Sequence, residues 1–139
     1  MAGPVGGRGT GAAPGRRHLR RDRTVIAGVG HTSYGKHPGR DRVSLIVEAV
    51  RNALTDAGLE KDRVDGVLVK MASSGPSFLY GQRVAEALGI RPRLGCSLDQ
   101  GGAANIALIS YAAMAIEAGM AEVVVVCYGD TPRTASRAV

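Results

Sequence analysis

Tryptophan is missing from this sequence, phenylalanine occurs once and tyrosine four times, so aromatics make up only 4 % of the chain. That scarcity argues against an aromatic stacking platform for nucleic acid or sugar. It leaves alanine, glycine and valine to build closely packed layers. Cysteine occurs twice, at Cys96 and Cys127, with neither C-x-x-C spacing nor the clustered histidines and cysteines of a metal site. Both thiols fall in apolar strand patterns, as expected of a reduced, cytoplasmic protein. No apolar run is long enough for a signal-peptide core or a membrane span.

Acidic residues are scarce in one region only. The net charge of +6 is concentrated at the start of the chain, where Arg8, Arg16, Arg17, Arg20, Arg21 and Arg23 face Asp22 alone. Residues 1–23 are also rich in glycine and nearly devoid of apolar side chains, so they form a basic tail expected to be disordered. A nucleic-acid arm would use such arginines on phosphates, but no aromatics are interleaved for stacking. A transit peptide would carry serine and an amphipathic apolar face, and this segment has neither. A solvated extension is the simplest reading. The remainder, 24–139, is close to neutral and, within a sequence that is 45 % apolar, suits one domain.

From Thr24 onward, short apolar runs alternate with helical stripes. Residues 24–29, 64–69, 94–98 and 122–128 read as strands. Leu45, Ile46, Ala49, Val50, Ala53, Leu54 and Ala57 keep an i, i+3, i+4 spacing that predicts a helix over 42–57. Ser44 is its expected N-cap and Gly58 the residue just past its end. Further helices are predicted over 77–88, stopped by Gly89, and over 102–118, stopped by Gly119. Strands joined by helices of this length make a parallel sheet with right-handed crossovers. The Val123–Val126 run lacks alternation, which fits a strand covered on both faces. The helix over 102–118 is apolar nearly all round, more than one small sheet can cover, and this predicts association with a partner.

Three motifs invite functional readings. Gly28-Val29-Gly30 after the first strand suggests a dinucleotide turn, but the third glycine is replaced by Ser33 and no helix opens there. His31 and His37 flank a glycine-rich loop without a third ligand or a nucleophile nearby, so solvated loop histidines are the plainer account. Cys96 is a candidate nucleophile until the strand is phased. Leu94, Cys96 and Leu98 share one face while Gly95, Ser97 and Asp99 share the other, which makes Cys96 a packed thiol. The stretch Cys96-Ser97-Leu98-Asp99-Gln100-Gly101-Gly102 ends a strand at the start of a helix, where free N–H groups and a positive dipole end face outward.

The order and spacing of several pieces resemble the thiolase superfamily, in its sterol-carrier and lipid-transfer-like branch. They are Val29-Gly30-His31-Thr32-Ser33-Tyr34-Gly35-Lys36, Ala49 to Leu59, Asp65 to Val69, and Gly101-Gly102-Ala103-Ala104-Asn105 running through Gly119 to Asp130. The resemblance implies a three-layer α/β half-domain with a mostly parallel, four-stranded sheet over 24–139, a partial N-terminal domain lacking the rest of that fold. Thiolases carry an acyl-accepting cysteine at the start of the third helix, where the helix terminus lowers the thiol pKa. Counting back from Ile116-Glu117-Ala118-Gly119 places that position on Gly102, so no catalytic residue is expected in this chain; Cys96, six residues earlier, is the weaker alternative.

The resemblance also implies a coenzyme A thioester as substrate, and either acyl transfer or retro-aldol cleavage in lipid and steroid breakdown. Cysteine-less members of that kind work with a small OB-fold partner. The family dimer would run through Arg93–Gln100 and the helix from Gly102. The competing expectation is a truncated, non-catalytic remnant or assembly subunit. No metal or covalent cofactor is implied.

Overall fold

The structure is a computed structural model and describes residues 23–75 and 77–132. Helix α1 spans Arg42–Ala57, strand β1 Gly66–Lys70, helix α2 Tyr80–Leu88, strand β2 Leu94–Leu98, helix α3 Ala104–Glu117 and strand β3 Val124–Cys127. Single 3₁₀ turns at Lys61–Arg63 and Gly101–Ala103 precede β1 and α3. The sheet is parallel throughout, in the order β2-β1-β3, with Gly66 opposite both Leu94 and Val124.

Period-two alternation divides the strands between two cores. Val67 and Val69 join Ile46, Val50, Tyr80, Val84 and Cys127 beneath α1 and α2. Leu68 joins Leu108 and Ala112 of α3 on the opposite face, with Leu94, Cys96, Leu98, Val124 and Val126 packed around them. The result is the expected three-layer α/β arrangement. At the sheet's N-terminal end, Asp65 fastens the strands together. Its carboxylate accepts from the backbone N–H groups of Glu122 and Val123, both at 2.9 Å, and its carbonyl accepts from Arg93 at 2.8 Å.

Among the described residues the sheet has three strands, not four. Thr24–Gly30 forms no strand, and Val25, Ile26 and Val29 are 82 %, 71 % and 72 % exposed. The segment lies instead along α1, where Val29 N–H donates to Asp56 Oδ2 at 2.9 Å and Asn52 Nδ2 donates to the His31 carbonyl at 2.9 Å. Glycine makes that approach feasible: a Cβ on Gly28 would sit 2.5 Å from the Ala53 carbonyl oxygen. The Gly28-Val29-Gly30 motif is therefore a helix-packing device.

Helix ends account for the other departures. The N-cap of α1 is Asp41, not Ser44; its carboxylate accepts from Ser44 N–H at 2.9 Å, while the Ser44 hydroxyl donates to the Asp41 carbonyl at 2.8 Å. Gly58 closes the helix in the left-handed conformation, as expected, with φ 65°. Helix α2 starts at Tyr80 instead of residue 77, after Leu79 at φ 53°. The Gly101–Ala103 turn replaces the first α-helical residues expected from 102. Of the basic tail over 1–23, all but Arg23 lies outside the described residues.

Candidate functional site

In an open parallel sheet, ligands collect beyond the carboxyl ends of the strands. Here that edge carries the exits of all three. Strand β2 leads through Asp99 and Gln100 into the Gly101–Ala103 turn and then α3. Gly101 takes φ +56°, a conformation suited to glycine, and its N–H reaches Asp99 Oδ1 at 3.4 Å. Gly102 is exposed, and a Cβ built on it would meet nothing within 4 Å. The position that the thiolase resemblance marks for a nucleophile is thus open space facing outward at a helix start. Neither Gln100 nor Ala103 supplies a side-chain cap to the turn or the helix behind it.

Cys96 lies elsewhere. It is half-buried in the cluster beneath α3, beside Leu94 and Leu98, and burial pushes its thiol above the ordinary value. Cys127 is buried on the other face, donates to the Leu68 carbonyl at 3.8 Å, and burial pushes its thiol up to about 12. Both are protonated at neutral pH. His31 stacks on Tyr34 with ring centroids 5.3 Å apart, and each loop histidine contacts a neighbouring carbonyl, His31 that of Thr32 and His37 that of Ser33, both at 2.8 Å. Neither hydrogen-bonds to a residue of the strand exits. No group of three potential metal ligands occurs among the described residues.

The exits of β1 and β3 meet at Asp130, a residue the sequence did not single out. Its carboxylate accepts from Ser73 N–H at 2.8 Å, Ser74 N–H at 3.3 Å, the Ser74 hydroxyl, Thr131 N–H at 2.8 Å and the Tyr128 hydroxyl at 3.1 Å. Partial burial alone would raise its pKa, but these hydrogen bonds, led by the one from Ser74, hold it below the usual carboxylate range. Arg42 Nη1 donates to the Ser74 carbonyl at 2.6 Å, and its guanidinium carbon lies 5.6 Å over the Tyr80 ring. Lys70 Nζ sits 3.8 Å over the Tyr128 ring. The Tyr80 hydroxyl and Asn105 Oδ1 are buried without a hydrogen-bond partner among the described residues. Only the spacing of Ser73-Ser74 from Asp130 across the sheet could have revealed this cluster, and that spacing has no sequence signature.

A hollow of about 590 Å³ between α1 and α2, lined by Val50, Leu54, Lys61 and Leu88 among others, lies outside the strand exits and contains none of these residues. The chemistry-bearing positions belong to the C-terminal edge of the sheet, and no helix among the described residues is long and apolar enough to cross a membrane.

No family model matches the chain. Among curated proteins it is 39 % identical over 105 residues to the steroid side-chain-cleaving aldolase of Thermomonospora curvata, covering 75 % of this chain and 26 % of the relative. It is 36 % identical over 114 residues to the 17-hydroxy-3-oxo-4-pregnene-20-carboxyl-CoA lyase of Mycobacterium tuberculosis, covering 81 % and 28 %. Among solved structures, the Ltp2–ChsH2 aldolase superposes with TM-score 0.61 at 40 % identity, over 73 % of this chain and 26 % of that one. A monomeric SCP2-thiolase-like protein from Mycobacterium smegmatis superposes with TM-score 0.57 at 27 % identity, over 74 % and 22 %. The chain has a thiolase-like fold. It spans about a quarter of the length of the curated relatives it matches. Within the thiolase-like frame, Gly101–Gly102 sits at the start of the third helix, and Asp130 sits just after the last strand described.

Proposed function

We propose that this thiolase-like chain belongs to an assembly that cleaves a carbon–carbon bond beside an acyl-CoA thioester, and that it supplies no acyl-accepting nucleophile. The observation that carries this reading is Gly102, without a side chain in open space at the start of the third helix, in a chain similar to two proteins named as aldolase and lyase. Acyl transfer through a covalent intermediate needs a thiolate at that place. Retro-aldol cleavage does not: the β-hydroxyl gives its proton to a base, the Cα–Cβ bond breaks to leave a carbonyl, and the enolate of the thioester is reprotonated. A helix start offers N–H groups to the oxygen on which that enolate charge develops. A steroid or other lipid side-chain thioester of coenzyme A is the substrate class, with the cytoplasm as compartment.

For partners we propose a homodimer through Arg93–Gln100 and α3, together with a small OB-fold subunit. Similarity to the Ltp2–ChsH2 aldolase supports the second. A second reading, a non-catalytic subunit of such an assembly, is favoured by the same missing side chain at Gly102.

Intact-mass spectrometry after incubation with acetyl-CoA tests the nucleophile. Wild type should carry no acyl adduct, whereas Gly102→Cys, placed where the Cβ meets nothing, should gain one acetyl group at the introduced thiol without turnover. An adduct on wild-type Cys96 would overturn the reading. Cleavage of a β-hydroxyacyl-CoA by wild type mixed with an OB-fold subunit separates the lyase from the non-catalytic alternative.

A further inference from the structure

Asp130 links segments that are remote in sequence. Its five donors come from Ser73 and Ser74 beyond β1 and from Tyr128 and Thr131 beyond β3, and Thr131 N–H also reaches Ser74 Oγ at 3.4 Å. The Ser74 carbonyl is held by Arg42 of α1, which lies over Tyr80 at the start of α2. Two residues before Ser73, Met71 N–H donates to the Leu98 carbonyl at 2.9 Å, joining the exit of β1 to the exit of β2. Three residues beyond Leu98 the chain enters the Gly101–Ala103 turn. A single carboxylate therefore clamps two strand exits directly and reaches the third through one backbone bond.

We propose that Asp130 is a positioning residue, whose clamp on the exits of β1 and β3 holds the β2 exit and the Gly101–Gly102 turn in place. Its purpose, fixing the surface that meets a thioester, rests on the function proposed above; its geometry does not. Charge-assisted hydrogen bonds to backbone N–H groups are about twice as strong as neutral ones, so losing the charge weakens every contact of the clamp at once. Asp65 makes a matching control, because its carboxylate also gathers backbone N–H groups, but at the opposite end of the sheet.

Hydrogen exchange on the full chain tests the clamp, comparing wild type, Asp130→Asn, Asp130→Ala and Asp65→Asn. The asparagine variant keeps the shape and guards against loss of fold in the alanine one. Ser73, Ser74 and Thr131 amides should lose protection in both Asp130 variants. Exchange at Met71 and Ala104, whose N–H groups hold the Leu98 and Gly101 carbonyls and do not donate to Asp130, should accelerate about tenfold. In Asp65→Asn, Met71 and Ala104 should exchange at the wild-type rate. Acceleration confined to the direct donors, or equal acceleration in Asp65→Asn, overturns the proposal. Titration with acetyl-CoA separates the two readings: propagation to Ala104 in a chain that binds no acetyl-CoA upholds the clamp and removes the acyl-CoA function.

Discussion

Cys127 shows how strongly burial decides the chemistry of one side chain here. Its thiol is enclosed by the α1–α2 core and pushed up to about 12, against about 8.5 for a free cysteine. The folded state therefore keeps a proton that the unfolded chain releases. Stability from this group is fully present below the unfolded pKa and is lost as pH rises toward the folded value, by about 1.4 kcal/mol per pH unit in that window. Urea unfolding of wild type between pH 9 and 11.5 should decline more steeply than that of Cys127→Ala, with the two slopes equal below pH 8. A parallel decline would mean that the thiol titrates normally. The orientation of Cys96 was legible in the sequence because strand phase has period two; the clustering of Ser73, Ser74 and Asp130 was not, because it arises only when two strand exits come together across β1.

Helix α1 illustrates what a sequence reveals about an element and what it hides. Its apolar stripe and its glycine stop define Arg42–Ala57 to the residue. Its cap was misplaced because Asp41 and Ser44 are both good capping residues, and only geometry shows which carboxylate or hydroxyl accepts from an N–H. Asp41→Ala should cost about 1 kcal/mol in urea unfolding, the usual value for a lost N-cap. Ser44→Ala should cost about 0.5 kcal/mol or less, since its hydroxyl donates to an exposed carbonyl. The reverse order would restore Ser44 as the cap. The segment Thr24–Gly30 was misread for a related reason. An apolar run with β-branched residues satisfies the strand pattern, but pattern says nothing about which neighbour the run packs on. Although the outer edges of β2 and β3 are open among the described residues, the glycines at 28 and 30 let the backbone rest on α1 instead.

At the scale of the whole molecule, α3 is the element that this sheet leaves unfinished. Ala104, Leu108, Ala112 and Ala115 are buried toward the sheet, yet Ile106, Ile109, Tyr111 and Met114 stay between 39 % and 70 % exposed on its other faces. Strand β2, beside this layer, pairs with β1 on one side, and its outer edge has no pairing partner among the described residues. Covering an isoleucine or methionine side chain contributes about 1.5–3 kcal/mol, so a patch of this size favours association over exposure. Sedimentation velocity of wild type should show a dimer or larger species whose share grows with concentration. Ile106→Lys combined with Met114→Lys should shift the distribution to monomer and leave the far-ultraviolet circular dichroism unchanged, because neither side chain belongs to the buried cluster under α3. A monomeric wild type would show instead that this outer face tolerates water, in keeping with the monomeric state named for the Mycobacterium smegmatis structure. A dimer that survives both substitutions would shift the interface from the helix to the β2 edge, where Ser97→Pro, which removes a backbone donor, then becomes the discriminating variant.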